Sequence, residues 1–160
     1  MNCLLRSTIN QIQNELIKKV PNLNYGGCVI FARYLAKALE DRNIKYKVAL
    51  MDEEVSCLNI TQKNLQNKLY GKTFSLNHIA ISINNYIIDG YNTYKYSPKL
   101  NIFDDGDLTV KLSNGINSKD LYSYSKAATW NSCYKQTNNK TVNKIIQKMF
   151  KQYDEIKNMS

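Results

Sequence analysis

The stretch Gly26-Gly27-Cys28-Val29-Ile30-Phe31-Ala32-Arg33-Tyr34-Leu35-Ala36-Lys37-Ala38-Leu39 joins a glycine pair to the longest apolar-rich run of the chain. No Gly or Pro interrupts it after Gly27, and Val29, Phe31, Ala32, Leu35, Ala36 and Leu39 recur at helical spacing. Its small residues suit close packing on a sheet. The pattern predicts a central buried helix that opens at Cys28 and ends near Asp41-Arg42-Asn43.

Before it, Ser7 is placed to cap a first helix along which Ile9, Ile12, Leu16 and Ile17 fall at helical spacing until Pro21. After it, Tyr46 to Met51 alternates as a strand does. The clearest β signal is His78-Ile79-Ala80-Ile81-Ser82-Ile83, followed by a possible tight turn at Asn84-Asn85 and a return strand Tyr86-Ile87-Ile88-Asp89. A third strand is expected at Leu108 to Leu112, and a C-terminal helix over about 141–157, capped by Thr141 and striped by Val142, Ile145, Ile146, Met149, Phe150 and Tyr153. That stripe reads as core packing. Residues 52–76 read as loop with a short helix around Gln62 to Leu69, and 91–107 as loop. There are no repeats and no dividing linker. The expected fold is α+β in one domain over 1–160, helices gathered against one antiparallel sheet.

Cys28 stands where a helix begins. There the unpaired backbone N–H groups and the positive end of the dipole favour thiolate over thiol. The glycines permit a tight turn and a close approach by substrate, and the Cys28 N–H is placed to help bind an oxyanion. Taken alone, Cys28 is equally well a small buried residue opening a core helix. His78 changes the balance. With Asn84-Asn85 as a two-residue turn, Ile83 pairs with Tyr86, Ala80 with Asp89 and His78 with Tyr91. Asp89 then shares a face with His78, one diagonal step away, where a carboxylate can orient the imidazole and stabilise it once protonated.

The run Asn24-Tyr25-Gly26-Gly27-Cys28-Val29-Ile30-Phe31-Ala32-x-x-Leu35, then a strand, then His78-Ile79-Ala80-Ile81 and Ile87-Ile88-Asp89-Gly90, resembles the papain-like superfamily. It is most similar to the compact bacterial transglutaminase-like cysteine-peptidase branch, versions of which occur in phage genomes. The resemblance covers roughly residues 20–92, with a weaker echo at Trp130-Asn131. It implies a papain-like fold, with the Cys-bearing central helix packed on a small antiparallel sheet. It further implies Cys28 as nucleophile, His78 as general base and acid, and Asp89 as the orienting residue. Relatives often take an oxyanion donor from an amide a few residues before the cysteine. Asn24 and Asn22 are the candidates here, although the familiar pattern has glutamine at that place. Asn131 is the alternative orienting residue. The implied activity is thiol-dependent hydrolysis or acyl transfer on a peptide or isopeptide bond through a thioester. The acceptor, water or an amine, decides between peptidase, deamidase and transglutaminase. The alternative is a catalytically inactive papain-like fold that serves as a binding or virion/host-interaction protein.

Composition narrows the partners. The chain carries net charge +9 and is 43% hydrophobic, with Arg only at positions 6, 33 and 42. Its Asn, Lys, Ile and Tyr usage resembles the coding bias of an AT-rich genome. A solvated basic surface is preferred to nucleic-acid binding, because no arginine stripe or RNA-binding signature appears. A peptide or protein is the expected substrate. Cysteines 3, 28, 57 and 133 form no C-x-x-C pair, and with one histidine in the chain neither a zinc site nor another cofactor is expected. No run of 18 apolar residues and no secretory core appears, so a cytoplasmic protein without membrane association is expected, in host cytoplasm or virion if phage-encoded. Asp104-Asp105-Gly106-Asp107 lacks the spaced ligands of a calcium loop and reads as a solvated turn. Tyrosines 91, 94, 96, 122 and 124 either line a groove near the active face or are ordinary half-exposed strand residues.

Overall fold

A computed structural model of the protein describes residues 1–21, 23–24, 27–54, 74–102, 107–127 and 137–160. Among these, four helices gather with a curled antiparallel sheet of six strands, an α+β arrangement.

Helix α1 (Cys3–Lys19) begins earlier than expected. Asn2, not Ser7, is its cap, and the Asn2 side chain accepts a 2.8 Å hydrogen bond from the Leu5 N–H. Leu5, Ile9, Ile12 and Leu16 form the buried stripe, while Ile17 is 52% exposed and lies outside it. Helix α2 (Cys28–Glu40) is the central helix, with Val29, Phe31, Ala32, Leu35, Ala36 and Leu39 all buried. Each large apolar side chain so buried contributes about 1.5–3 kcal/mol. Asn43, at φ 54, turns the chain out of the helix.

Strands β1 (Lys47–Glu54), β2 (Phe74–Ile83), β3 (Tyr86–Ile88), β4 (Thr93–Lys95), β5 (Lys99–Leu100) and β6 (Leu108–Ser113) lie in the order β4-β3-β2-β1-β6-β5. The β2–β3 hairpin has the expected register, Ile83 opposite Tyr86, with Asn84 supplying a φ of 54 in the turn. Val48, Leu50, Ile79, Ile81 and Ile83 join the helices in one core cluster. Ala49, Met51, Ala80, Ile87, Leu108 and Val110 form a second. This is the period-2 alternation of a sheet with two buried faces. The β1–β2 ladder has one irregularity, where Met51 pairs with His78 but Asp52 pairs with Leu76. β2 thus carries an extra residue, Asn77, directly before the histidine. Such bulges bend a strand and re-aim the neighbouring side chain.

Helix α3 (Ser118–Ala127) packs on α2, and helix α4 (Thr137–Asn158) packs on both α1 and α2. The Arg42 guanidinium grips the Asp154 carboxylate with two bonds, of 2.8 and 2.6 Å, fastening the end of α2 to α4. Four further expectations need correcting. Of the 52–76 segment read as loop, 52–54 belong to β1 and 74–76 to β2. The 91–107 segment holds β4 and β5 rather than loop alone, α3 was not anticipated, and α4 starts at Thr137, so Thr141 is inside the helix and not its cap. The expected helix near 62–69 and the acidic residues 104–106 lie outside the described residues. No helix among the described residues is long and apolar enough to cross a membrane.

Candidate active site

The approach to Cys28 is built around Leu23. The Gly27 N–H donates to the Leu23 carbonyl at 2.8 Å, closing a turn so tight that a Cβ at Gly27 would stand 2.5 Å from that oxygen. No side chain but hydrogen fits. Gly27 is also the cap of α2, so no side-chain hydrogen bond caps the helix at its first N–H groups. Its carbonyl accepts from the N–H groups of Ile30 and Phe31. Cys28 follows as the first helical residue and is 3% exposed.

His78 and Asp89 arrive from the sheet. His78 Nε2 and Asp89 Oδ2 are 3.2 Å apart, and both side chains are buried. Asp89 does not continue the ladder opposite Ala80 as the hairpin register suggested, nor does Tyr91 pair with His78, because β3 ends at Ile88. The reason is the aspartate itself. Its Oδ1 accepts from the N–H groups of Tyr91 at 2.8 Å and Asn92 at 2.9 Å, while its own N–H donates to the Asn92 carbonyl. This local turn draws the chain away from β2. Both carboxylate oxygens are therefore fixed, one by backbone and one by imidazole.

Three further contacts lock this corner. Gln13 of α1 donates from Nε2 to the Asp89 carbonyl at 3.0 Å and to Thr93 Oγ1 at 3.2 Å. The Tyr91 hydroxyl donates to the Val20 carbonyl and accepts from the Leu23 N–H at 2.5 Å. Gly90 lies so close to the same loop that a Cβ would meet Leu23 Cδ2 at 2.7 Å and Asn24 Oδ1 at 3.4 Å. The segment after Asp89 and the segment before Cys28 are thus one packed unit.

The electrostatics follow from this geometry. Burial alone would push the His78 pKa down, but the Asp89 hydrogen bond and the hydrogen bond and charge of Cys28 outweigh it, raising the value from 6.5 to about 10. Asp89 shows the converse balance. Burial would raise its pKa, yet the His78 bond and charge and the two backbone N–H donors hold it below 3.8. The imidazole thus lies between a carboxylate that orients it and the sulfur of Cys28. Such a pair can attack an acyl carbon and hand a proton to the departing group.

No family model, curated protein or solved structure matches this chain. The site is therefore read from its own geometry.

Of the residues singled out in the sequence, the fold brings Cys28, His78 and Asp89 together. Asn24 is buried beside Gly90, and its Oδ1 has no hydrogen-bond partner among the described residues. Asn22 and Asn131 lie outside the described residues, as do Cys57 and Cys133, and Cys3 is exposed with a free thiol. Among the described residues no group of three His, Cys, Asp or Glu could hold a metal. Sequence reasoning missed Gln13 and Tyr91 as supports. It did not distinguish Tyr124 from the other tyrosines. Tyr124 is buried on α3, and its phenol pKa is raised by burial and then by the charge of Cys28. Tyr94 is similarly pushed up to about 12, by burial and then by the charge of Asp89. A polar residue at a helical position facing the core was the available signal for Gln13, since it occupies the stripe between Ile9 and Leu16.

Proposed function

We propose that this chain is a papain-like, thiol-dependent hydrolase or acyltransferase acting on peptide or isopeptide bonds. The observation that carries this reading is a buried imidazole held by a carboxylate on one side and charged against a helix-initiating cysteine on the other. The Cys28 sulfur attacks the amide carbon, forming a C–S bond while the carbonyl oxygen becomes an oxyanion. The Cys28 N–H and the Asn24 amide are the candidate donors to that oxygen. As the C–N bond breaks, His78 gives its proton to the leaving amine, leaving a thioester on Cys28. His78 then takes a proton from water or an incoming amine, which attacks the thioester and restores the thiolate. Asp89 keeps the ring in one orientation throughout.

Iodoacetamide alkylation of Cys28 tests this, with Cys3, Cys57 and Cys133 changed to Ser beforehand. At pH 6 the parent should react about 10²-fold faster than His78→Ala or the closer-sized His78→Gln. Equal rates in parent and both variants would contradict the reading and favour a fold kept as a binding module.

A further inference from the structure

Arg42 shows how this fold seats a guanidinium. It lies over the Phe150 ring at 4.6 Å, donates from Nη1 to the Ala38 carbonyl, and grips Asp154 through Nε and Nη2. Arg33 of α2 has the same kind of seat without the anion. Its guanidinium lies over the Tyr34 ring at 4.3 Å and the Tyr122 ring at 4.8 Å. It donates from Nη1 to Ser125 Oγ at 2.9 Å and from Nη2 to the Tyr34 hydroxyl. Among the described residues no carboxylate pairs with it. Two of its five N–H groups are used, so three remain to donate. The seat is open to solvent, with Arg33 only half-buried and Tyr122 44% exposed. Arg33 stands five residues after Cys28, about 7.5 Å further along the helix axis. Helical side chains lean toward the N-terminus, here toward the cysteine. Helix α3 joins the two points. Its Tyr124 shares a buried cluster with Cys28, and the next residue, Ser125, takes the Arg33 bond. The flanking sequence supplies no rival acid, since 16–39 and 121–153 contain neither Asp nor Glu.

We propose that Arg33 binds a carboxylate of the substrate beside the bond that Cys28 attacks, so that the site selects acidic peptides or isopeptides. The inference rests on the proposed function and narrows its substrate class. The carboxylate belongs to an acidic side chain or to a free C-terminus, which present the same group. A guanidinium is a planar fork that matches a carboxylate with two parallel bonds. Two rings and two hydroxyls hold this one in place before a substrate arrives, so little side-chain freedom is lost on binding. Asp154 already fills the equivalent place on Arg42, and a substrate carboxylate fills it on Arg33.

Affinity labelling of the full chain tests this, with Cys3, Cys57 and Cys133 changed to Ser. Three bromoacetyl labels of nearly equal size are compared. One carries neutral glutaminamide, one glutamine with its free C-terminal carboxylate, and one glutamic acid α-amide with its side-chain carboxylate. At pH 7 and limiting concentration, a charged label should alkylate Cys28 at least about tenfold faster than the neutral one. Whichever charged label leads names the source of the carboxylate. Arg33→Gln should cut that ratio by about fivefold or more, and Arg33→Lys should keep only part of it, because an ammonium lacks the fork. Taking the ratio within each protein cancels any general change in Cys28 reactivity. Thermal unfolding shows whether each variant is folded. If Arg33→Gln is not, Ser125→Ala/Tyr122→Leu loosens the guanidinium while keeping its charge, and should cut the ratio several-fold. Equal rates for the three labels in the parent, or a preference that the folded variants leave intact, would overturn the inference. The proposed function fails separately, if iodoacetamide alkylates Cys28 of the parent no faster than that of His78→Gln.

Discussion

Two positions on β2, His78 midway along it and Ser82 near its end, are built on opposite plans. Around His78, the Asp89 carboxylate accepts from an imidazole and two backbone N–H groups, the Asp89 backbone carbonyl is held by Gln13, and Tyr91 clasps the loop that leads to Cys28. Asn24 Oδ1 is buried there without a hydrogen-bond partner among the described residues. At Ser82, a buried hydroxyl has no hydrogen-bond partner among the described residues. A satisfied network in a poorly hydrated corner is rigid and expensive to disturb. A buried hydroxyl left unsatisfied costs stability, and the fold loses little when it is removed. The difference is between groups that fix one another around His78 and a lone buried hydroxyl at Ser82.

Mutations should expose that asymmetry. The largest effect is expected at Asp89. Asp89→Ala leaves a buried imidazolium without its carboxylate and should cost about 3–5 kcal/mol in urea unfolding. The cost should depend on pH in a definite direction. His78, raised from 6.5 to about 10, contributes fully below 6.5 and loses that contribution as pH rises through about 10. Asp89, held below 3.8, contributes above that value and loses its contribution as pH falls through the lowered pKa. The gap between parent and variant should therefore be widest between about pH 4 and 6.5 and narrow on either side. A gap that is flat with pH would detach the pair from stability.

Next in size are the two glycines packed on Leu23. Gly27→Ala drives a methyl into a backbone oxygen, and Gly90→Ala drives one into the end of a side chain. The first should cost about 1–3 kcal/mol and the second less, because a leucine can rotate and an α-turn carbonyl cannot. Adding Leu23→Val should rescue Gly90→Ala and not Gly27→Ala, as read by thermal unfolding. Equal rescue would show that the loop before Cys28 is softer than its hydrogen bonds imply. The smallest effect belongs to Ser82. Ser82→Ala should be neutral or stabilising by up to about 1 kcal/mol, since it removes a buried hydroxyl that has no partner among the described residues. A clear destabilisation would mean that the hydroxyl already has work in the folded chain.

What the sequence disclosed follows the range of the forces involved. The start of α2 at Cys28 was legible because two glycines abut an unbroken apolar run, and the hairpin because period-2 alternation brackets Asn84-Asn85. The alternation begins at His78 for a physical reason, since the ladder is irregular just before it. β4 and β5 are three and two residues long, too short to carry a period. Helix α3, rich in Ser, Tyr and Lys, has weak helical character of its own and owes its place to packing on α2. In the site, the approach of His78 and Asp89 could be reasoned from a local hairpin. The Gln13 and Tyr91 bonds join residues 76 and 68 positions apart, and no local pattern encodes them. The aspartate's departure from the ladder was hidden too, because its turn depends on where one side-chain oxygen points.

The most direct test uses the fact that the chain has a single histidine. Its imidazole signals can be followed by NMR against pH without assignment. The account predicts that His78 stays protonated through neutral pH and titrates near 10, and that Cys28→Ala and Asp89→Asn each move the titration downward. A titration near 6.5 that neither variant moves would contradict the Cys28–His78–Asp89 ion-pair arrangement on which the proposed function rests.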